Sequence, residues 1–122
     1  MNFEGVRELF RALPGVEEGT SYGTPGFRVR RKFLARLKED GETLVVRIGF
    51  ERRDMLMQSN PDVFFITDHY RGYPSILVRL PLVDPRELED LIGDAWREAA
   101  ARGPRGDSPR RQTGPGSGDD PA

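Results

Sequence analysis

Apolar residues near the start of the chain, Phe3, Val6, Leu9, Phe10 and Leu13, recur at spacings of three and four. That period places them on one face of a helix, which Pro14-Gly15 ends. A second helical stripe runs through Leu88, Leu91, Ile92, Ala95, Trp96 and Ala99, opened by Asp84-Pro85 as an N-cap followed by a first-turn proline. Glu87, Glu89, Asp90 and Asp94 sit early in it and Arg97 and Arg102 late, as the helix dipole favours. Trp96, four residues after Ile92, belongs to the core stripe, with a binding-platform role as the less favoured alternative.

Between these helices the period drops to two. Phe27 and Val29 alternate with Arg28 and Arg30, and Phe33, Ala35 and Leu37 alternate with Leu34, Arg36 and Lys38. This predicts two half-buried strands joined near Arg31-Lys32. Asp40-Gly41 signals a turn into a third strand, Thr43 to Ile48. Glu51 to Gln58 reads as a short helix ended by Ser59-Asn60-Pro61, and Val63 to Thr67 and Ile76 to Leu80 as two strands around the polar, aromatic loop Asp68 to Ser75. Glu17 to Tyr22 is a candidate for an earlier short strand, and Gly23 to Gly26 for a bend. The order helix, meander, short helix, hairpin, helix predicts an α+β fold: an antiparallel sheet with the N- and C-terminal helices packed on one face.

One domain, residues 1–102, accounts for this pattern. Residues 103–122 contain five Gly, four Pro and no large apolar side chain, which predicts a disordered tail. Its Arg105, Arg110 and Arg111 could add tethered phosphate contacts, but an inert solvated extension is the favoured reading. The 122 residues include 36% apolar and 32% charged side chains, a balance expected of a soluble globular protein. No apolar run reaches the roughly 20 residues needed to cross a bilayer, and the N-terminus lacks a signal-peptide pattern. The expectation is a cytoplasmic protein without a membrane partner. Absence of Cys excludes disulfides, thiolate zinc sites and cysteine nucleophiles.

The residues offer little to an enzyme. His69 is the sole histidine, so neither a two-His metal site nor an H-E-x-x-H motif can form. A triad of His69, Asp68 and a serine is disfavoured, because adjacent side chains rarely address one partner and no G-x-S-x-G elbow is present. Glu17-Glu18 and Glu39-Asp40 read as solvated edge and turn residues. Gly23-Thr24-Pro25-Gly26 lacks the lysine of a phosphate loop. The expectation is a non-enzymatic protein with no cofactor and no metal.

Charge is the exception to this blandness. The formal net charge is −1, yet from Thr20 to Lys38 there are six basic residues and no acid. Strand alternation sends Arg28, Arg30, Arg36 and Lys38 to the face opposite the core, with Arg31 and Lys32 at the tip. Like charges so placed repel, and are offset either by acids from elsewhere or by an anionic partner. A two-stranded ribbon can enter a major groove, and arginine suits phosphate and guanine edges. Against this stands a plainer reading: charges that protect an exposed hairpin from edge pairing, with Glu42 or Glu51 folded nearby. From charge alone the plainer reading leads. In the Asp68 to Pro74 loop, Tyr70 and Arg71 could stack on bases and meet phosphate, or simply pack the loop.

Several ordered blocks resemble the MmcQ/YjbR family: G-x-P-x-F-x-V-x-x-K-x-[FL]-A from Gly23 to Ala35, then Asn60-Pro61-Asp62-Val63-Phe64, Asp68-His69-Tyr70 and Ala95-Trp96-Arg97. The likeness spans about residues 3–101. It implies an α+β domain similar to the double-wing DNA-binding fold, and a small cytoplasmic, non-catalytic DNA-binding protein. The family's hairpin lysine falls on Lys32, and the preceding position, often glycine in the family, is Arg31. The expected DNA contacts are Arg28, Arg30, Arg31, Lys32 and Arg36, with Tyr70 and Arg71 as secondary contacts. The competing expectations are a regulatory module that holds an acidic protein partner through a strand edge or the basic face, and a small-molecule-binding protein centred on Asp68-His69.

Overall fold

The computed structural model describes residues 1–21 and 23–101, so the tail expected over 103–122 lies outside the described residues. Helix α1 spans Phe3–Arg11, and Asn2 caps it by accepting the Gly5 N–H at 3.0 Å. Val16–Ser21 forms strand β1, which the sequence pattern offered only as a candidate. Three further strands complete a meander, β2 Thr24–Val29, β3 Lys32–Leu37 and β4 Thr43–Arg47. Helix α2, Phe50–Ser59, leads to a two-residue strand β5, Phe64–Phe65, then to a 3-10 turn at Asp68–Tyr70, strand β6 at Ser75–Arg79 and helix α3 at Pro85–Ala101.

All neighbouring strands are antiparallel, in the order β1-β2-β3-β4-β6-β5. One face carries Phe27, Ala35, Val46 and Ile76 in register, with Leu37, Leu44, Val78 and Phe64 in a second row. Val6 and Phe10 of α1 and Leu88, Leu91, Ile92, Ala95 and Ala99 of α3 bury against that face, which is the expected layering. Phe10 stacks on Phe27 with ring centroids 4.2 Å apart. Trp96 is half-buried at the rim of this core and donates its indole N–H to the Pro14 carbonyl at 2.9 Å, tying α3 to the link after α1.

The turns explain the register. Gly23 (φ 80°) closes the β1–β2 hairpin, so Thr24-Pro25-Gly26 lies in β2 and is not the bend expected there. At the β3–β4 turn Gly41 takes φ 74° while Asp40 accepts from the Glu42 N–H, the Thr43 N–H and the Thr43 hydroxyl at 2.7–2.9 Å. Strand β5 is much shorter than the five residues the pattern predicted. Pro61 and the bonds from Val63 and Phe64 N–H to the Asn60 carbonyl hold the chain in a turn until Phe64.

Strict alternation fails at one point. The pairs Phe27 with Ala35 and Arg28 with Phe33 leave Leu34 as an extra residue in β3, a β-bulge. Leu34 therefore joins the core, and Phe33, expected inside, lies across from Arg28 on the opposite face.

Candidate nucleic-acid interface

The β2–β3 connection has only two residues, Arg30 and Arg31, because Val29 pairs with Lys32. Both take left-handed backbone, with φ of 53° and 67°, the signature of a type I′ hairpin turn. That turn fits the twist of the strands but favours Asn-Gly. Two arginines hold it at a cost of about 1 kcal/mol or more each. Both side chains are exposed, as is Arg28; Lys32, expected at the tip, instead opens β3 opposite Val29 and is half-buried on the helix-side face, away from the face of Arg28.

Elsewhere, arginines are largely matched by acids. Arg7 bonds Glu18 at 2.8–3.1 Å, Arg71 pairs with Asp68 at 2.6 Å, and Arg52 and Arg97 both pair with Asp94. Among the described residues no carboxylate lies within 4.0 Å of Arg28, Arg30 or Arg31. The acids suggested as neutralising partners, Glu42 and Glu51, make no such pair with them. Glu17, however, stands directly across β1–β2 from Arg28 and shares its face. Acid is thus interleaved at Arg28, but no strand residue opposes the two turn arginines.

Other expected contacts do not join this cluster. Arg36 is on the outer face yet only 9% exposed. Its guanidinium bonds the Leu37 carbonyl and the Thr24 hydroxyl at 3.4 Å and lies 3.8 Å from Glu39, so it serves the sheet and is not displayed to a partner. Val45 and Leu77, on the same outer side, are 1% exposed. Burial on this side is what removes Arg36 from the surface that alternation assigned to it. Tyr70 sits with its ring 5.7 Å from the Lys38 ammonium, at the far end of β3 from the turn. Six residues of strand, about 20 Å, separate Lys38 from Lys32. Arg71 is held by Asp68 in the same loop. Tyr70 and Arg71 thus form a second location, not an extension of the first.

That loop is organised by a residue the sequence pattern did not single out. Arg53 of α2 is 7% exposed, and its Nη1 lies 3.1–3.4 Å from the carbonyls of Tyr70, Arg71 and Tyr73. The Phe50 ring covers its guanidinium at 4.8 Å. His69 is exposed and edge-on to Tyr70, with centroids 4.9 Å apart. Among the described residues no three His, Asp or Glu side chains cluster closely enough to hold a metal ion. On the outer face, Glu17, Arg28 and Phe33 ring a depression of about 100 Å³ floored by Gly19 and Gly26, well below the several hundred Å³ of ordinary ligand sites.

The β-ribbon geometry expected for a major groove is not present. Strand β1 flanks β2 as far as Val16 opposite Val29, so three strands reach the level of the turn. Their outer axes span about 10 Å before side chains are added, against a groove about 12 Å wide. At this sheet end the two turn arginines lie beyond the last paired residues, beside the Pro14-Gly15 link that enters β1.

The fold and its basic turn define a small α+β domain built on a six-stranded antiparallel sheet. The YjbR family model matches residues 11–98, and the chain belongs to that family. Its fold is similar to the crystal structure of Deinococcus radiodurans protein DR2400, a DUF419 domain, with a TM-score of 0.68 at 20% identity over 78% of this chain and 75% of that one. It is 42% identical over 57 residues to the uncharacterized proteins Rv2570 of Mycobacterium tuberculosis and Mb2600 of Mycobacterium bovis. That stretch is 46% of this chain and 44% of each relative, so the chain spans less than half the length of these curated relatives. Among the described residues no helix is long and apolar enough to cross a membrane.

Proposed function

We propose that this protein is a non-catalytic DNA-binding protein that holds duplex phosphates with Arg28, Arg30, Arg31 and Lys32. The observation that supports the reading is the cluster of three exposed arginines at one end of the β2–β3 hairpin, none of them ion-paired among the described residues. Guanidinium groups in that state are hydrated and available to phosphate oxygens, with two parallel N–H donors each. The double-wing likeness implied by the sequence blocks points the same way. Arg36 is left out of the contact set because burial occupies its guanidinium with Leu37, Thr24 and Glu39. Tyr70 and Arg71 are at most peripheral.

With four cations engaged, counterion release gives a slope of log affinity against log salt of about −3.6. An Arg28→Gln, Arg30→Asn, Arg31→Gly variant, which keeps Lys32, should bring the slope to about −0.9. Fluorescence anisotropy on a labelled duplex across a salt series measures both. Equal slopes for the two proteins, or no binding of any duplex at low salt, would sink the reading.

A further inference from the structure

We infer that the turn arginines, Arg30 and Arg31, recognise the minor groove of A·T-rich duplex DNA, an inference that rests on the DNA-binding reading above and gives it a preferred site. Two observations carry it. First, β2 and β3 are interior strands: β1 runs beside β2 up to Val16 opposite Val29, and β4 pairs with β3 from Ala35 onward. A sheet end of that breadth abuts the duplex and does not slot into the major groove, so groove contact falls to whatever side chains extend past it. Second, the charged side chains at that end are two consecutive arginines in left-handed backbone, φ 53° and 67°, exposed and without an ion pair among the described residues, next to the uncharged Pro14-Gly15 link. A turn chosen for stability alone would hold Asn-Gly there.

An arginine side chain is slim enough for the roughly 6 Å minor groove, which excludes a strand. Runs of A·T pairs narrow that groove and deepen its negative potential, which draws inserted arginines by charge and needs no base-specific hydrogen bond. Arg28 and Lys32, set back from the turn on opposite faces of the sheet, are then directed one to each side of the inserted turn, toward the two phosphate backbones that flank the groove. The acids of β1 bear on the same point. Glu17 is exposed on the outer face, whereas Glu18 lies on the helix side with Arg7, so a sheet laid flat against DNA would bring the Glu17 carboxylate to phosphates. An end-on approach through the turn keeps it away.

The test is competitive anisotropy at one fixed salt concentration with three equal-length duplexes: an A-tract, an alternating G·C sequence and a mixed sequence. Each is repeated with distamycin, which fills the A·T minor groove. Wild type is expected to bind the A-tract several-fold more tightly than the G·C duplex, and distamycin to abolish the difference. The Arg30→Asn, Arg31→Gly variant carries the favoured turn sequence and so keeps its fold, which circular dichroism checks. It should bind all three duplexes alike and weakly. Equal binding of the three duplexes by wild type, or an A-tract preference that survives distamycin, overturns minor-groove recognition while leaving phosphate binding in place. Absence of binding to every duplex overturns both readings.

Discussion

Glu17 and Arg28 face one another across β1 and β2 on the exposed side of the sheet, more than ion-pairing distance apart in charge contact but adjacent in register. The carboxylate lowers the local positive potential that a phosphate would meet. Opposed charges on a strand pair are worth about 0.2–1 kcal/mol. Glu17→Gln should therefore tighten duplex binding at low salt by about twofold to fivefold, the equivalent of 0.4–1 kcal/mol, with the gain shrinking as salt rises. Unfolding by urea should change little, since the pair is solvated. Unaltered affinity would mean that Arg28 lies outside the contact.

The two turn arginines make the opposite kind of prediction, because here binding and stability should move apart. Replacing Arg30 and Arg31 by Asn and Gly relieves the left-handed backbone, whose cost is about 1–2 kcal/mol per ordinary residue, while glycine returns some unfolded-state entropy. A net gain of about 1–2 kcal/mol is expected, read as a higher urea midpoint at unchanged m-value. The same variant should bind duplex DNA more weakly. A variant that is less stable would show that the arginine side chains contribute contacts to the fold.

Much of this architecture is legible in the alternation of residues, and its failures have particular causes. The helical stripes of α1 and α3 and the periodic strands around Phe27, Val46 and Val78 lie where the pattern places them, because one face of each is buried against the other layer. Leu34 and Phe33 exchange sides because a bulge inserts one residue, and nothing local in KFLARL marks it. Arg36 keeps its predicted face but loses its exposure, since alternation reports direction and not what covers that direction. The hairpin's charge was visible in sequence. That β3 is internal follows from the predicted meander; that β2 is internal is legible only as a candidate, because β1, the strand that closes off the ribbon, is polar and exposed from Glu17 to Thr20 and has no apolar alternation to announce it.

Arg53 is the clearest residue that sequence reasoning passed over, since a lone arginine in a polar helix reads as solvated. Its Nη1 is shared among the carbonyls of Tyr70, Arg71 and Tyr73, which fixes the loop between β5 and β6 against α2. Arg53→Ala removes the charged donor and leaves three carbonyls to find water, a change of about 2–3 kcal/mol. Hydrogen exchange should accelerate first over residues 66–75, and Arg53→Lys should recover only part of the loss, because an ammonium lacks the planar fork. Uniform exchange across the whole chain in Arg53→Ala would indicate general destabilisation and no special tie to this loop.

Acid should unfold the protein in part through two carboxylates on opposite ends of the meander. Glu18 is held below the ordinary carboxylate range chiefly by the hydrogen bonds from Arg7, whose guanidinium is in turn pushed up by the pairing. Asp40 is held low first by the Glu42 N–H and next by the Thr43 hydroxyl. A carboxyl whose folded value is depressed binds fewer protons in the native state than in the unfolded chain. Its contribution is therefore fully present above the unfolded value of about 4 and is lost as pH falls through the lower folded value. Asp40 is exposed and the Glu18 carboxylate is partly so, which lets solvent screen both and keeps each effect modest. Glu18→Gln combined with Asp40→Asn keeps one oxygen at each site, able to accept from Arg7 and from the Glu42 and Thr43 N–H groups, and removes the titration. Thermal unfolding followed from neutral pH down to about pH 3 should show wild type losing Tm more steeply than the double variant below about pH 4.5. Parallel curves would place the acid sensitivity of this fold in other carboxylates.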